Sequence, residues 1–325
     1  MWRKFLVFAV FLGKLASGFK ACPGKDNSYM HFIRSIQVSL FFVLAIAACT
    51  SARAEEFRIP VYDSDDSFFV QVLHLALATE GGPHSIKTFE HPVTQSRTLR
   101  ELQDGKFNIF YSGYSADRER DFIQVYIPLT RGMLGYRFLA IRENNAAIFQ
   151  TIKSQADFRR LVTLGANSSW PDTGIMEAAG LEVVKAPSDA LWTMLRRNRF
   201  LAFPRGMSEA LPEIRREGTD AENPLMLEPH FMLAYRYDSF FYVPKNRPDL
   251  AAIVESGLRT AYENGSYMKL FDSHPVIQAA FEEIKARPRT VFWIDTPGMS
   301  ERTRNIPMRY WLTPEETEGL TRAAE

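Results

Sequence analysis

The chain has 325 residues, 46% of them hydrophobic, and its 39 Lys and Arg against 38 Asp and Glu give a formal net charge of +1. This apolar content is enough to form a core and excludes an intrinsically disordered chain. A net charge near zero gives no support for nucleic-acid binding, which requires a basic patch or stripe. Two cysteines are too few for a disulfide-dense scaffold or a four-thiolate zinc site. The length predicts one large domain or two modest lobes.

The first 54 residues have the layout of an export signal. Apolar stretches run over Phe5–Leu12 and Val38–Ala48, each after basic residues, and a small-x-small sequence follows at Ala52-Arg53-Ala54. Neither stretch reaches the roughly 18 apolar residues of a membrane-spanning helix, so we predict a cleaved secretory signal. The alternative is a lipobox, because Cys49 follows an Ile-Ala-Ala tripeptide, and Cys49 would then carry a lipid anchor.

Removal of residues 1–54 changes the composition of the mature chain. It takes away seven basic residues and one acidic residue, which leaves 32 against 37 and a net charge of about −5. Both cysteines, Cys22 and Cys49, lie in this part, so a chain cleaved after Ala54 has no thiol. Met30 is a second candidate start. We expect the protein in the bacterial periplasm, or lipid-anchored in the envelope through Cys49.

The mature chain begins with alternating strands and helices. A strand at 58–62 precedes a helix with apolar residues at 3-and-4 spacing, and then come a strand at 86–89, a helix that ends at Gly105 and a strand at 107–111. This β-α-β-α-β series predicts a parallel sheet in an α/β fold.

The same rhythm restarts further along the chain. Strands are predicted at 161–165, 181–185 and 199–203, each followed by a helix, and the last third from Arg247 is predicted to be helical. Two α/β units without a sequence repeat or a long linker predict two lobes.

Several motifs, in the same order over roughly 270 residues, are similar to those of one family. Leu99–Ile109 resembles its helix, glycine and strand before the binding loop, Ser115–Phe122 its T-x-x-R segment, and Gly257–Phe271 its last helix. The family is that of the bacterial periplasmic solute-binding proteins with the type 2 fold, and the amino-acid-binding (family 3) branch is the most similar. Gly132–Arg137 and Arg199–Gly206 resemble a divergent, largely uncharacterised subgroup.

The resemblance implies two α/β lobes, each a mainly parallel sheet flanked by helices, with the ligand enclosed between them. Crossing segments are then expected near Arg131–Tyr136 and Ala234–Asp238, so that lobe 1 comprises 55–135 and 236–325 and lobe 2 comprises 136–235. It also implies a small-molecule ligand, delivered to a membrane permease or a sensor. We expect a monomer without a cofactor and without a nucleic-acid partner.

Arg118 is the main candidate for ligand binding in lobe 1. A guanidinium matches a carboxylate bidentately, and the resemblance implies that Arg118 holds the carboxylate of the ligand. Ser115 stands where the family has threonine and keeps the hydroxyl. The alternative is a surface arginine paired with Glu119 or Asp121.

The ends of two lobe 1 strands supply further candidates, Ser112, Gly113, Tyr114 and Tyr62, because α/β folds bind ligands at the carboxyl ends of their strands. Gly113 would allow close approach of a ligand, and Tyr114 would stack on it or close the pocket. The alternative is an ordinary turn with a buried tyrosine. Asp63 is better explained as a helix N-cap.

In lobe 2, Ser169 and Trp170 precede a helix whose free N–H groups favour an anion. Trp170 would pack on the ligand, or else only on the start of its helix. Arg205 would bind a second anionic group, or else form a salt bridge to Glu209.

The sequence departs from the amino-acid-binding branch at residues 200–204. The resemblance implies an acidic residue there to hold the ammonium of the ligand, but the segment reads Phe-Leu-Ala-Phe-Pro. We therefore expect a ligand that has a carboxylate or another anionic group and no ammonium.

No catalytic or metal motif is present in the sequence. The six histidines show no H-E-x-x-H spacing, and G-x-S-x-G, Walker and dinucleotide-binding motifs are missing. We expect a protein that is not an enzyme. The alternative is a dehydratase or lyase of a small organic acid on the same fold, with Glu119 or Asp63 as general acid.

Overall fold

A computed structural model describes residues 54–61, 67–90, 93–218, 220, 222–317 and 321–322. The predicted signal and Cys49 lie outside these residues, as do Tyr62 and Asp63. Within the described ranges, no helix is long and apolar enough to cross a membrane.

The strands are short, and several are buried along their whole length because helices or other strands cover both faces. They are β1 (Glu56–Val61), β2 (Ser85–Glu90), β3 (Phe110–Gly113), β4 (Ile123–Gln124), β5 (Tyr136–Arg142), β6 (Thr163–Asn167), β7 (Glu182–Ala186), β8 (Ala202–Gly206), β9 (Leu225–Leu227), β10 (Phe231–Ala234), β11 (Ser239–Val243), β12 (Arg289–Trp293) and β13 (Thr321–Arg322).

The helices alternate with these strands over most of the chain. They are α1 (Ser67–Glu80), α2 (Gln95–Gln103), α3 (Ala116–Asp121), α4 (Ala146–Gln150), α5 (Gln155–Leu161), α6 (Pro171–Ala178), α7 (Ser188–Arg196), α8 (Met207–Glu217), α9 (Pro248–Glu263), α10 (Ser266–Ser273), α11 (Pro275–Ala286), α12 (Glu301–Arg304) and α13 (Pro314–Thr317), with 3₁₀ turns at Met133–Gly135, Glu143–Asn145 and Met308–Tyr310.

The described strands form three sheets. β1 and β2 pair in parallel, and β3 and β4 flank β11 in an antiparallel sheet. The third sheet has the order β13-β12-β10-β5-β8-β6-β7, with β9 also paired to β5. Its pairs are parallel towards both ends and antiparallel around β5. The α/β class with two lobes is confirmed, the first two sheets lying in one lobe and the third in the other.

The β-α-β-α-β series predicts that β3 joins a parallel sheet with β1, but in the structure β3 pairs with another strand. Asn108 connects β3 to β1 through its side chain: its Oδ1 accepts from the Arg58 N–H at 2.6 Å, and its Nδ2 donates to the Glu56 carbonyl at 2.7 Å. The Asn108 N–H also donates to the Arg58 carbonyl at 3.2 Å, but these bonds do not extend into a ladder between β1 and β3, and β3 pairs antiparallel with β11 instead. The alternation of strands and helices does not encode this partner, because β11 lies far along the chain.

The core of the first lobe forms where α9 packs on α1. Val72, Leu73 and Ala76 of α1 are fully buried, as the 3-and-4 spacing predicts. A Cβ on Gly257 would lie 1.8 Å from the Ala76 carbonyl oxygen, so only glycine allows this close approach. The Thr79 hydroxyl also donates to the Gly257 carbonyl at 2.7 Å.

Two elements of the segment 236–325, which is expected in lobe 1, contact elements of the segment 136–235. β12 pairs in parallel with β10, and α11 packs against α8. Helical spacing predicts which face of α11 is buried but not which element covers it. The lobe boundaries stay a prediction.

The chain passes between the sheets after β4 and again between β10 and β11, at the two expected crossings. The carboxylate of Asp238 joins these segments, because it accepts from the backbone N–H groups of Thr130 at 2.8 Å and Gly132 at 2.9 Å. Burial raises the pKa of Asp238 to about 6.

The C-terminal segment covers both crossings. The Leu312 N–H donates to the Arg131 carbonyl at 2.7 Å, and the Arg131 guanidinium pairs with Glu316. The Arg236 guanidinium lies 4.3 Å from the Trp311 ring centre. The last helices therefore hold the crossings together from outside.

Candidate functional site

A cleft of about 400 Å³ is lined by both lobes. The first lobe contributes residues from α1, from the end of β3 and from the crossings, and the second contributes residues from the ends of β6 and β8 and the starts of α6 and α8. Its volume suits a small molecule.

The end of β3 places Ser112 and Gly113 in this cleft. Ser112 is 2% exposed, and its hydroxyl has no hydrogen-bond partner among the described residues. Gly113 lies directly beneath Tyr237, since a Cβ there would be 2.0 Å from the Tyr237 hydroxyl. Glycine thus leaves room for Tyr237, which also lines the cleft.

Arg118 is buried behind the lining rather than in it. Its Nη1 donates to the Gly113 carbonyl at 2.6 Å and its Nη2 to the Gln95 side-chain oxygen at 2.5 Å. Both partners line the cleft. Arg118 therefore positions two lining residues, and its contact with a ligand stays a prediction.

Tyr114 and Ser115 are not among the lining residues. The Tyr114 hydroxyl donates to Glu119 at 3.0 Å and accepts from the Ser300 N–H at 2.8 Å, and burial raises its pKa. The Ser115 hydroxyl caps α3 by accepting from the Arg118 N–H at 3.1 Å. In these contacts Tyr114 ties its loop to the C-terminal segment, and Ser115 starts a helix.

The second lobe presents Ser169 and Trp170 to the cleft. The Ser169 N–H and hydroxyl both donate to Asn167 Oδ1 at 2.8 Å. The Trp170 ring is nearly parallel to Phe203, with 6.1 Å between ring centres, and the Arg205 guanidinium lies 4.8 Å from its centre. Trp170 therefore packs on β8 and also borders the cleft.

Arg205 lines the cleft and forms the expected ion pair with Glu209, at 3.1 Å. Arg205 also donates two hydrogen bonds to the Glu213 carboxylate, from Nε to Oε2 at 2.5 Å and from Nη2 to Oε1 at 2.7 Å. Burial of the guanidinium would lower the pKa of Arg205, but the two carboxylates raise it, so Arg205 remains charged.

Sequence reasoning missed Arg137 and Asp172, which form the deepest ion pair of the cleft. Their side chains are 4% and 6% exposed, and the Arg137 Nη2 donates to Asp172. The Tyr235 hydroxyl accepts from Arg137 Nε at 2.7 Å and donates to Asp172 at 3.1 Å. Burial raises the pKa of Tyr235, so this hydroxyl stays protonated.

Glu209 is a carboxylate of the cleft that lies shortly after residues 200–204 in the chain. It follows β8 in α8, lines the cleft, and accepts from the Gly206 N–H at 3.0 Å. Although burial opposes ionisation, Arg205 and Arg137 lower its pKa, so Glu209 is ionised and already balanced by two arginines. The four-residue spacing from Arg205 was the only signal in the sequence.

Glu119, the candidate general acid, lies away from the cleft. Its Oε1 accepts from the hydroxyls of Tyr126 and Ser300, both at 2.8 Å, and its Oε2 from Tyr114. A carboxylate held by several hydroxyls of its own chain is suited to structure rather than to proton donation. Among the described residues, no three or more His, Cys, Asp or Glu side chains are grouped to hold a metal ion.

No family model and no curated protein sequence matches this chain. It is similar to several solved structures. The glutamate-bound ligand-binding core of GluR0 from Nostoc punctiforme is 15% identical over 67% of this chain and 97% of that chain, with a TM-score of 0.47. An ancestral arginine-binding protein is 15% identical over 67% of this chain and 96% of that chain, with a TM-score of 0.49. A lysine-bound putative binding component of an ABC transporter from Wolinella succinogenes is 14% identical over 67% of this chain and 94% of that chain, also with a TM-score of 0.49.

Proposed function

We propose that this protein is an exported solute-binding protein that traps a small polar, carboxylate-bearing ligand between its two lobes. The observation that carries the proposal is the cleft of about 400 Å³, which both lobes line. It contains the buried hydroxyl of Ser112, for which the described residues supply no hydrogen-bond partner. A ligand that contacts both lobes binds the closed arrangement more tightly than an open one. This difference in affinity shifts the protein to the closed state when the ligand is bound.

The charged side chains of the second lobe support a ligand with a carboxylate. Arg137 and Arg205 both line the cleft, and guanidinium groups bind carboxylates through paired N–H donors. Among the predicted contacts, Ser112, Gly113 and Trp170 also border this space.

Arg118 enters the proposal as a ligand anchor that needs a local rearrangement. Its Nη2 is held by the Gln95 side chain, which itself lines the cleft. Rotation of Gln95 would free one edge of the guanidinium for an acceptor oxygen of the ligand. Tyr62, at the end of β1, is kept as a further proposed contact.

We further propose that the protein resides in the periplasm, acts as a monomer and delivers its ligand to a permease or a sensor. Mass spectrometry of the mature protein distinguishes cleavage after Ala54 from lipidation at Cys49. Copurification with membranes after detergent-free lysis is expected only for the lipidated form.

The test is a thermal-shift screen against amino acids, organic acids and small peptides, followed by titration of each hit. Arg118→Ala should weaken binding of the best compound at least about tenfold, the effect of losing one charged hydrogen bond. Arg120→Ala is the matched control, because Arg120 lies on the same helix but pairs with exposed Asp117 and Asp121.

Three results would contradict this function or part of it. Unchanged binding by Arg118→Ala refutes the anchor but leaves the binding role. Failure of every compound to raise the melting temperature refutes the binding role. Conversion of a bound compound, followed by NMR, would make the protein an enzyme.

A further inference from the structure

Charge is distributed unequally between the two walls of the cleft. Among the described lining residues, every Asp, Glu and Arg comes from one stretch of the second lobe: Arg137, Asp172, Arg205, Glu209, Glu213 and Arg216. The described lining of the first lobe is uncharged, and its aromatic rings lie beside polar side chains such as Gln95, Ser112 and Thr130. A ligand that fills the cleft therefore meets an uncharged wall, whose aromatic part we call the apolar wall, and an ionic wall.

The apolar wall is a continuous aromatic surface. Phe69 stacks on Tyr111 with 4.4 Å between ring centres and 15° between planes, and Phe68 contacts Phe69 edge-on at 6.0 Å. Burial of an apolar group against such a surface is worth about 25 cal/mol per Å², which polar ligands do not gain.

The ionic wall contains one carboxylate that lies between two guanidinium groups. Glu209 Oε2 is 3.1 Å from Arg205 Nη2 and 3.6 Å from Arg137 Nη1. The second distance is an ion pair and too long for a hydrogen bond. Both arginines are fixed by other carboxylates, Arg137 by Asp172 and Arg205 by Glu213.

Glu209 is the movable member of this group. Its side chain is 36% exposed, against 4% for Arg137 and 10% for Arg205. It is held otherwise only by the Gly206 N–H at 3.0 Å. A rotation of Glu209 towards solvent would expose Arg137 Nη1 and Arg205 Nη2 to the cleft.

We propose that the ligand is an acid with an apolar body, and that its carboxylate displaces Glu209 from between Arg137 and Arg205. The proposal rests on the proposed function and names its ligand class. The apolar body packs on Phe69 and Tyr111. Displacement is required because a fourth carboxylate added beside Asp172, Glu209 and Glu213 would be repelled, whereas exchange keeps the charge balance.

The experiment titrates the purified protein by calorimetry with three probes: 3-phenylpropionate, succinate and 2-phenylethylamine. Glu209→Gln removes the competing charge and keeps an oxygen for the Gly206 N–H. It should bind 3-phenylpropionate about tenfold more tightly than the wild type, the effect of one competing charged contact. Glu177→Gln, which breaks only an exposed pair with Lys185, is the control and should change nothing.

Phe69→Ala provides a second test of the ligand class. It should lower the affinity for 3-phenylpropionate at least about tenfold and the affinity for succinate by less than about twofold. The reason is that only 3-phenylpropionate has an apolar body that packs on the Phe69 ring. This test does not depend on Glu209, so it holds even where one variant folds poorly.

Different results of these experiments would contradict this inference and the proposed function. Weaker binding of 3-phenylpropionate to Glu209→Gln, or a wild type that prefers succinate or 2-phenylethylamine, overturns the inference and leaves a binding protein. Loss of 2-phenylethylamine binding in Glu209→Gln would instead make Glu209 a receptor for cations. Absence of binding for these probes and for the whole screen overturns both.

Discussion

The substitution Ser112→Ala separates a binding role for Ser112 from a structural one. Ser112 lines the cleft, and its buried hydroxyl has no hydrogen-bond partner in the part of the chain that the structure describes. A buried hydroxyl without a partner has lost its bonds to water and gained none in exchange. We expect the unliganded variant to be at least as stable as the wild type, and binding to be weaker.

The structure sets the size of both effects. An unsatisfied buried hydroxyl costs roughly 1–3 kcal/mol, so its removal should stabilise the free protein by about 1 kcal/mol after a small loss of packing. For a chain of this size that is a rise in melting temperature of about 2–4 °C. Loss of one hydrogen bond to a ligand costs about 0.5–1.5 kcal/mol, which is about a twofold to tenfold weaker affinity.

The change in stability is measured by thermal denaturation of the free protein. The change in affinity is measured by calorimetry with the best compound of the screen. Ser154→Ala is the matched control, because the Ser154 hydroxyl caps α5 outside the cleft lining, and its loss should cost about 1 kcal/mol of stability without a change in affinity. The reasoning is refuted when Ser112→Ala lowers the melting temperature as much as Ser154→Ala, or when its affinity for the ligand is unchanged.

Three further predictions concern the fold. Burial raises the pKa of Glu228 from 4.5 to about 7, so wild-type stability should fall as the pH rises through this range. The stability of Glu228→Gln should equal that of the wild type near pH 4 and exceed it by up to about 3 kcal/mol at pH 8 in urea titrations, and a constant difference would contradict this. Asn108→Ala loses two bonds to β1 and should lower the free energy of unfolding by about 1–3 kcal/mol, measured by urea denaturation. Gly257→Ala, whose Cβ would meet α1 at 1.8 Å, should lose several kcal/mol in thermal melts, whereas Gly174→Ala, with open space around it, should gain up to about 1 kcal/mol.

The sequence predicts those parts of the fold that depend on local periodicity. The buried face of α1, with Val72, Leu73 and Ala76, follows from 3-and-4 spacing because one helix face must be apolar to be covered. The pairing of β3 with β11 and the place of α11 against α8 do not follow. Both depend on which distant surface is complementary, and that information is spread over the whole chain.

The residues of the candidate site likewise fall into those that the sequence predicts and those that it does not. Ser112 and Arg205 lie at the ends of strands, and Trp170 follows one. The rule that the carboxyl ends of strands hold the ligand site places all three at the cleft that they line. Arg137 and Asp172 carry no such signal, because one begins a strand and the other a helix in separate parts of the chain. Their ion pair exists only once β5 and α6 are packed together.

The division of charge between the walls bears on closure as well as on ligand class. An acid without an apolar body gains contacts mainly from Arg137 and Arg205, and an apolar molecule without a charge gains them mainly from Phe69 and Tyr111. Either one would bind a single lobe and give the closed state little advantage over an open one. A molecule that has both ends gains from the two lobes only when they enclose it, and a ligand shifts an equilibrium by no more than its difference in affinity for the two states. The same residues that select the ligand would therefore make closure depend on it.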